Sequence, residues 1–156
     1  MRISIIAVGN RMPDWIATGV TEYLQRMPRE ASVEVVEVKP EKRDKGEPTQ
    51  GLLRREALRI ELHLRKARPT VMLDERGTLW DSKKLAKFLQ EAMAEGHNPG
   101  FVIGSADGLD DMIKAAADYR VALSRLTLPH GLVRVMLAEQ LYRAVSILQN
   151  HPYHRE

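Results

Sequence analysis

The chain has 156 residues, enough for one compact domain, with an ordinary apolar share of 44% and 29% charged residues for a solvated surface. It contains no cysteine, which excludes disulfides, thiolate metal sites and cysteine nucleophiles and suits a reducing compartment. Lysine and arginine outnumber acids by 24 to 21, a weak pull toward a polyanion. No apolar stretch approaches the roughly 20 residues that span a bilayer, so a soluble, cytoplasmic protein without a membrane partner is expected.

Ile3 to Val8 is a short, nearly continuous apolar run, as expected of a strand buried on both faces. Pro13-Asp14 opens a helix with Ile16, Val20, Tyr23, Leu24 and Met27 at helical spacing. The valine-rich stretch from Val33 to Val38 predicts a second strand. Residues 39–48 carry charge, two prolines and a glycine, and read as a mobile loop. A long helix then starts at Thr49 or Gln50, with Leu53, Ala57, Ile60, Leu64 and Ala67 on one stripe, and stops at Pro69.

Thr70 to Asp74 is the next strand, ending in a polar turn at Glu75-Arg76-Gly77. Asp81 or Ser82 caps a helix with Leu85, Phe88, Leu89, Ala92 and Met93 inward and Gly96 at its end. Phe101 to Gly104 is a further buried strand, followed by the turn Ser105-Ala106-Asp107-Gly108 and a helix through Ala117. Short apolar pieces, Val121–Leu123 and Leu126–Leu128, surround Ser124-Arg125, and a final helix runs from about Leu132 to Leu148. Strands alternating with helices argue for an α/β domain with a mostly parallel sheet, spanning residues 1–156 without an internal linker.

Two features stand out in this pattern. Lys39, Lys42, Arg43, Lys45, Arg54, Arg55, Arg59, Arg65, Lys66 and Arg68 concentrate positive charge; they suit either a solvated loop and helix face or a polyanion. The last helix is apolar nearly all round, and such a helix must be buried nearly all round. Val133, Met136, Leu137, Leu141 and Val145 are covered either by a second subunit or by a sheath of the chain itself.

Elimination narrows the chemistry. No His-Glu-x-x-His or similar metal spacing occurs, and no Gly-x-Ser-x-Gly elbow. Gly104-Ser105-Ala106-Asp107-Gly108 is neither a Walker A loop nor a dinucleotide fingerprint, and as a bare pattern it is a strand-to-helix turn. What remains is a concentration of polar residues near the C-terminus: Pro129-His130, Arg134, Glu139, Arg143 and the tail from Asn150 to Glu156. Glu139 and Arg143 form an i, i+4 helical pair. A tail with Tyr153 and Arg155 either frays or folds back over a site to hold a base and a phosphate.

These residues resemble a known family. Ile103-Gly104…Gly108-Leu109, Leu123-Ser124…Leu126-Thr127-Leu128-Pro129-His130, Arg134-Val135, Ala138 to Ala144 and the closing Asn150 to Glu156 are similar to the RlmH family. These are SPOUT-class methyltransferases of ribosomal RNA that act on N3 of pseudouridine. Ala7-Val8-Gly9, Pro13-Asp14-Trp15, Glu22-Tyr23-Leu24, Leu73-Asp74 and Trp80-Asp81 match as well, so the similarity runs the full length.

The resemblance implies an α/β knot: a mostly parallel sheet flanked by helices, with a deep trefoil knot over about residues 70–156. It implies an obligate homodimer and S-adenosyl-L-methionine (SAM) as methyl donor, without a metal. SAM would be held by Leu73, Gly104 and the run Leu123, Ser124, Arg125, Leu126, Thr127 and Leu128. His130, Arg143, Tyr153 and Arg155 are the implied catalytic and RNA-binding residues, with Glu139 in support. The implied substrate is a pseudouridine in the helix 69 loop of large-subunit rRNA, met in the assembled ribosome. Its N3 proton is removed either by a base such as His130 or after an arginine lowers the N3 pKa. One departure from the family pattern is Ser105, where a second glycine usually follows Gly104; serine there is strained only if the position needs positive φ. An RNA-binding module without catalysis, and a SPOUT enzyme acting on tRNA, are the alternatives.

Overall fold

The first strand, β1 (Arg2–Val8), divides its side chains between two cores. Ile3, Ile5 and Ala7 join one buried cluster, and Ile6 and Val8 join the other. That period of two, apolar on both sides, belongs to a strand at the centre of a sheet covered by helices on both faces. The structure, a computed structural model, describes residues 1–43 and 46–154.

The remaining elements are α1 (Asp14–Leu24), β2 (Ser32–Val38), α2 (Thr49–Leu64), β3 (Thr70–Leu79), α3 (Ser82–Ala94), β4 (Gly100–Ile103), α4 (Asp111–Ala116), β5 (Tyr119–Ala122) and α5 (His130–Leu148). The strands pair in parallel in the order β2-β1-β4-β3-β5. Helices α1, α3 and α5 pack together. Leu85, Phe88 and Leu89 of α3 and Leu137, Leu141 and Val145 of α5 meet Ile3, Val71 and Phe101 of the sheet. Ala57, Ile60 and Leu64 of α2, with Ile113 of α4, cover the other face at Ile6, Met72 and Val102. The expected α/β architecture with a mostly parallel sheet is therefore present.

Several boundaries differ from the sequence reading, each for a local reason. Residues 75–77 are not a turn but the middle of β3, which bulges against β5 between Leu73 and Thr78. A Cβ on Gly77 would lie 2.7 Å from the Arg120 backbone, so the strand stays paired only because the side chain is missing. In α2 the buried stripe runs through Leu52 and Glu56 rather than Leu53, and the helix ends before the buried Ala67. α1 ends before Met27, and Met93 of α3 faces solvent. Asp81 does cap α3, its side chain accepting from the Lys84 amide at 2.8 Å, a contact worth about 1 kcal/mol. No strand forms at 126–128, and Leu126 is 73% exposed.

Helix α5 answers part of the question its sequence raised. Leu137, Leu141, Ala144 and Val145 are sheathed by α1, α3 and the sheet of the same chain. Val133, Val135, Met136 and Tyr142 stay only half-buried. At its end Asn150 takes a left-handed conformation (φ 54°), and the His151 amide bonds back to the Ser146 carbonyl at 2.9 Å. Asparagine tolerates that conformation. The reversal lays the short 3₁₀ turn Pro152–His154 along α5.

Candidate active site

Ligands of open parallel sheets gather at the carboxyl ends of the strands. Here the ends of β4, β3 and β5 lie side by side, and the loops that follow them enclose a cavity of about 670 Å³. Leu73 and Asp74 of β3, Ile103 and the 104–108 turn, and the 123–130 loop line it. Among the residues expected to hold the cofactor, Leu73, Gly104, Leu123, Ser124, Leu126, Thr127 and Leu128 all face this cavity, whereas Arg125 does not line it. Residues far apart in the sequence thus converge on one space.

Gly104 has no room for a side chain. A Cβ there would lie 2.7 Å from the Gly108 carbonyl oxygen and 2.7 Å from Leu109 Cγ. The turn closes on itself through a Gly108 amide to Ser105 carbonyl bond of 2.9 Å. Ser105 is not among the residues with positive φ, so the serine carries no left-handed strain, and its hydroxyl accepts from Arg43 at 2.9 Å.

His130 begins α5 and holds the Gly104 carbonyl through Nδ1 at 2.5 Å. A carbonyl only accepts, so this contact assigns the proton to Nδ1 and leaves Nε2 as an acceptor. Nε2 takes the Nε–H of Arg134 at 2.8 Å. Arg134, 5% exposed, donates its other bonds to Glu37 at 3.0 Å and to the Gly9 carbonyl at 3.0 Å. Each of its three nitrogens thus has an acceptor, as a buried guanidinium requires. The chain Gly104–His130–Arg134–Glu37 ties the cavity wall to the ends of β1 and β2.

Burial holds the His130 imidazole below its ordinary pKa, with the Arg134 charge acting in the same sense against the opposing Gly104 bond and Glu37. The sign follows. The folded protein prefers neutral His130, so its contribution is complete above about pH 6.5 and is lost as pH falls through the depressed folded value. Protonated Nε2 would also confront the Arg134 donor. Acidification from about pH 7.5 to about pH 5 should therefore lower both the melting temperature and ligand affinity at the cavity. His130→Gln should flatten that part of the pH dependence; an identical profile in the variant would remove His130 from this role.

The other implied catalytic residues gather elsewhere on α5. Glu139 Oε1 accepts from Arg143 Nε at 2.9 Å and from the Tyr153 hydroxyl at 3.0 Å. The Arg143 guanidinium sits 5.1 Å from the Tyr153 ring centre, and Tyr153 packs on Tyr142 with centroids 4.6 Å apart. Burial, with help from Glu139, pushes the Tyr153 phenol up to about 12, so it remains a donor at neutral pH. Arg155 lies outside the described residues. Arg143 is thirteen residues past His130 on one helix, about 20 Å along its axis. Within one chain the cavity and the tail cluster are separate.

The sequence reading missed the charged lip of the cavity. Arg120 Nε donates to Asp74 at 2.6 Å, and burial notwithstanding, the Arg76 amide and Arg120 hold the Asp74 carboxyl below its usual range. Only the pairing of β3 with β5 brings these two together, and no local pattern announces it. Among the described residues no group of three histidine, cysteine or acidic side chains is placed to hold a metal ion. None of the described helices is long and apolar enough to cross a membrane.

A family model described as "Predicted SPOUT methyltransferase" matches residues 1–154. The fold superposes on a probable methyltransferase from Bordetella pertussis with a TM-score of 0.62 at 16% identity, covering 92% of this chain and 96% of that one. A probable methylase family protein from Haemophilus influenzae gives 0.59 at 12% identity, over 99% and 70% of the two chains. Two full-length relatives are named ribosomal RNA large subunit methyltransferase H. That of Nitrosospira multiformis is 51% identical and that of Paraburkholderia xenovorans 52%, each over 99% of both chains. The chain belongs to the ribosomal RNA large subunit methyltransferase H family of SPOUT methyltransferases.

Proposed function

We propose that this protein methylates N3 of a pseudouridine in the helix 69 loop of large-subunit rRNA, within the assembled ribosome, using SAM. It works in the cytoplasm as a homodimer of one SPOUT domain, knotted over about residues 70–156. The observation that carries the reading is the cavity at Gly104 and 123–128, in a chain half identical to rRNA methyltransferases over its whole length. Its volume falls in the range of small-molecule sites, about 300–1,000 Å³. Leu73, Ile103, Val121 and Leu128 give it apolar walls for a base, and Asp74, Lys114 and Arg120 give it charges for polar groups. Gly104 lets backbone approach a ligand closely. These features fit SAM.

When bound, SAM supplies an electrophilic methyl on a sulfonium. The chain's own work is to align N3 with that methyl, exclude water and provide for the N3 proton. His130 is a poor acceptor for that proton, because Nε2 already takes the Arg134 bond; it positions the Gly104 wall instead. Tyr153 stays protonated, and Arg143 carries a permanent positive charge. The arrangement favours the second route: a guanidinium near N3 would stabilise its anion once the proton has passed to water, and bound SAM would supply the methyl that N3 takes up.

Distance supports the proposed dimer. If the cavity and the Arg143–Tyr153 cluster serve one base, a separation of about 20 Å along α5 requires that they come from two chains. The half-buried Val133, Val135, Met136 and Tyr142 supply an apolar face for that contact. Light scattering at micromolar concentration should return twice the chain mass of 17.7 kDa; a mass of 17.7 kDa would remove the claim.

The reaction itself is tested by mass spectrometry of RNA from cells lacking the protein. Loss of one methyl from a pseudouridine of large-subunit rRNA supports it. Loss from tRNA instead would reassign the substrate. Intact modifications, together with no SAM binding, would leave an RNA-binding module.

A further inference from the structure

Several arginines of the basic stretch 39–68 pair with acidic groups of the chain itself. Arg54 faces Asp110 at 3.6 Å, Arg55 pairs with Glu41 and Glu47, and Arg59 pairs with Glu41. Arg43 differs from these neighbours in reaching across to the cavity. Its Nε donates to Asp107 at 2.9 Å and one terminal nitrogen to the Ser105 hydroxyl at 2.9 Å. Its remaining bonds go to the Glu41 carbonyl at 2.8 Å and to Glu56 at 2.8 and 3.3 Å. A guanidinium has five N–H donors, and each has an acceptor here. Glu56 is 2% exposed, so a buried carboxylate on α2 anchors the far side of the bridge.

We infer that Arg43 is a positioning residue of the ligand cavity, bracing the 104–108 turn from outside while His130 braces it from inside. Ser105 and Asp107 are both cavity-lining residues, and Gly104, also on the cavity wall, lies between the two braces. The serine that replaces the family's usual glycine provides an acceptor a glycine lacks. Arg43 also neutralises Asp107, which would otherwise present an uncompensated negative charge at the cavity wall. Lysine cannot substitute, because one ammonium does not fork across Glu56, Ser105 and Asp107 together. By linkage, a ligand that fixes the turn must in the same measure protect the loop carrying Arg43.

This inference rests on the reading of the cavity as a SAM site, and the experiment separates the two. Hydrogen exchange of the full-length protein without ligand should be faster at residues 104–108 in Arg43→Ala than in wild type. Calorimetry should show SAM binding weakened about five- to tenfold, with a smaller loss in Ser105→Ala and no rescue by Arg43→Lys. The rate of methyl transfer at saturating SAM should stay within about twofold, because Arg43 acts on the wall and not on the reacting atoms. Since Arg43→Ala leaves Glu56 buried and unpaired, Arg43→Ala/Glu56→Gln serves as the variant that restores folding without restoring the brace. Wild-type exchange at 104–108 in both variants would overturn the inference. A wild-type protein that fails to bind SAM would overturn the function instead, and the exchange measurement would still decide the brace.

Discussion

Gly104→Val is expected to weaken SAM binding by about two orders of magnitude or more while the protein still folds. The first carbon added at Gly104 already meets the Gly108 carbonyl oxygen and Leu109 Cγ, each at 2.7 Å. Neither is the free end of a flexible side chain, so the 104–108 turn itself must open. Valine adds two further carbons, which must then occupy the turn or the cavity. Gly104→Ala should show a milder form of the same loss. Overpacking of this kind costs about 1–3 kcal/mol of stability, and the buried sheet beneath the turn, Val102 and Phe101 among it, is untouched. A melting curve establishes folding and calorimetry reads the affinity. Normal SAM binding by a folded Gly104→Val protein would mean that the ligand lies elsewhere.

Tyr153→Ala and Arg143→Ala should each lower methyl transfer to unmethylated ribosomes by roughly ten- to a hundredfold. Stacking of a base on an aromatic ring is worth about 1–3 kcal/mol, and a decade of rate corresponds to about 1.4 kcal/mol. The two losses should not add, because both side chains share Glu139 Oε1 and the ring–guanidinium contact. Arg155→Ala should act in the same direction. SAM affinity should be unchanged in all three, because the proposed role of the cluster is to hold the base and its N3 rather than the cofactor. A stronger test addresses the proposed two-chain arrangement. Gly104→Val protomers lack a cavity and Tyr153→Ala protomers lack the aromatic tail. Co-expressed with different tags and purified as mixed dimers, they should show methyl transfer well above that of either variant alone. Absence of any rescue, with both homodimers stable, would return each site to a single chain; wild-type transfer by Tyr153→Ala would show that the tail merely packs on α5.

Much of the fold was legible because its physics is local. The nearly continuous apolar runs Ile3–Val8 and Phe101–Ile103 read as strands buried on both faces, since such a strand has few polar positions, Ser4 alone in these two. Asp81 announced the start of α3 because only a short polar side chain satisfies the free amides of a first turn. Similarity of motif, not periodicity, singled out Gly104, His130 and the 123–128 run; taken as a bare pattern, the glycine turn carried no function.

Other features were decided only when the chain folded. The sequence by itself determined which segments become strands and helices and which of their faces are buried, since period and end signals depend on residues within a turn or two of each other. Tertiary structure decided what the polar residues do. Glu75-Arg76-Gly77 looked like a turn, but the approach of the Arg120 backbone keeps it in β3. His130 had the right chemical class for a base, yet the Gly104 carbonyl on one nitrogen and Arg134 on the other make it a brace. Arg43 was one of several cations in a basic stretch until folding brought it within a hydrogen bond of Ser105 and Asp107, 62 and 64 positions away in sequence. Apolar burial is nearly indifferent to partner and can be read from spacing. A hydrogen bond needs one donor and one acceptor within about 3 Å in a set direction, and only the assembled sheet and its loops fix which ones meet.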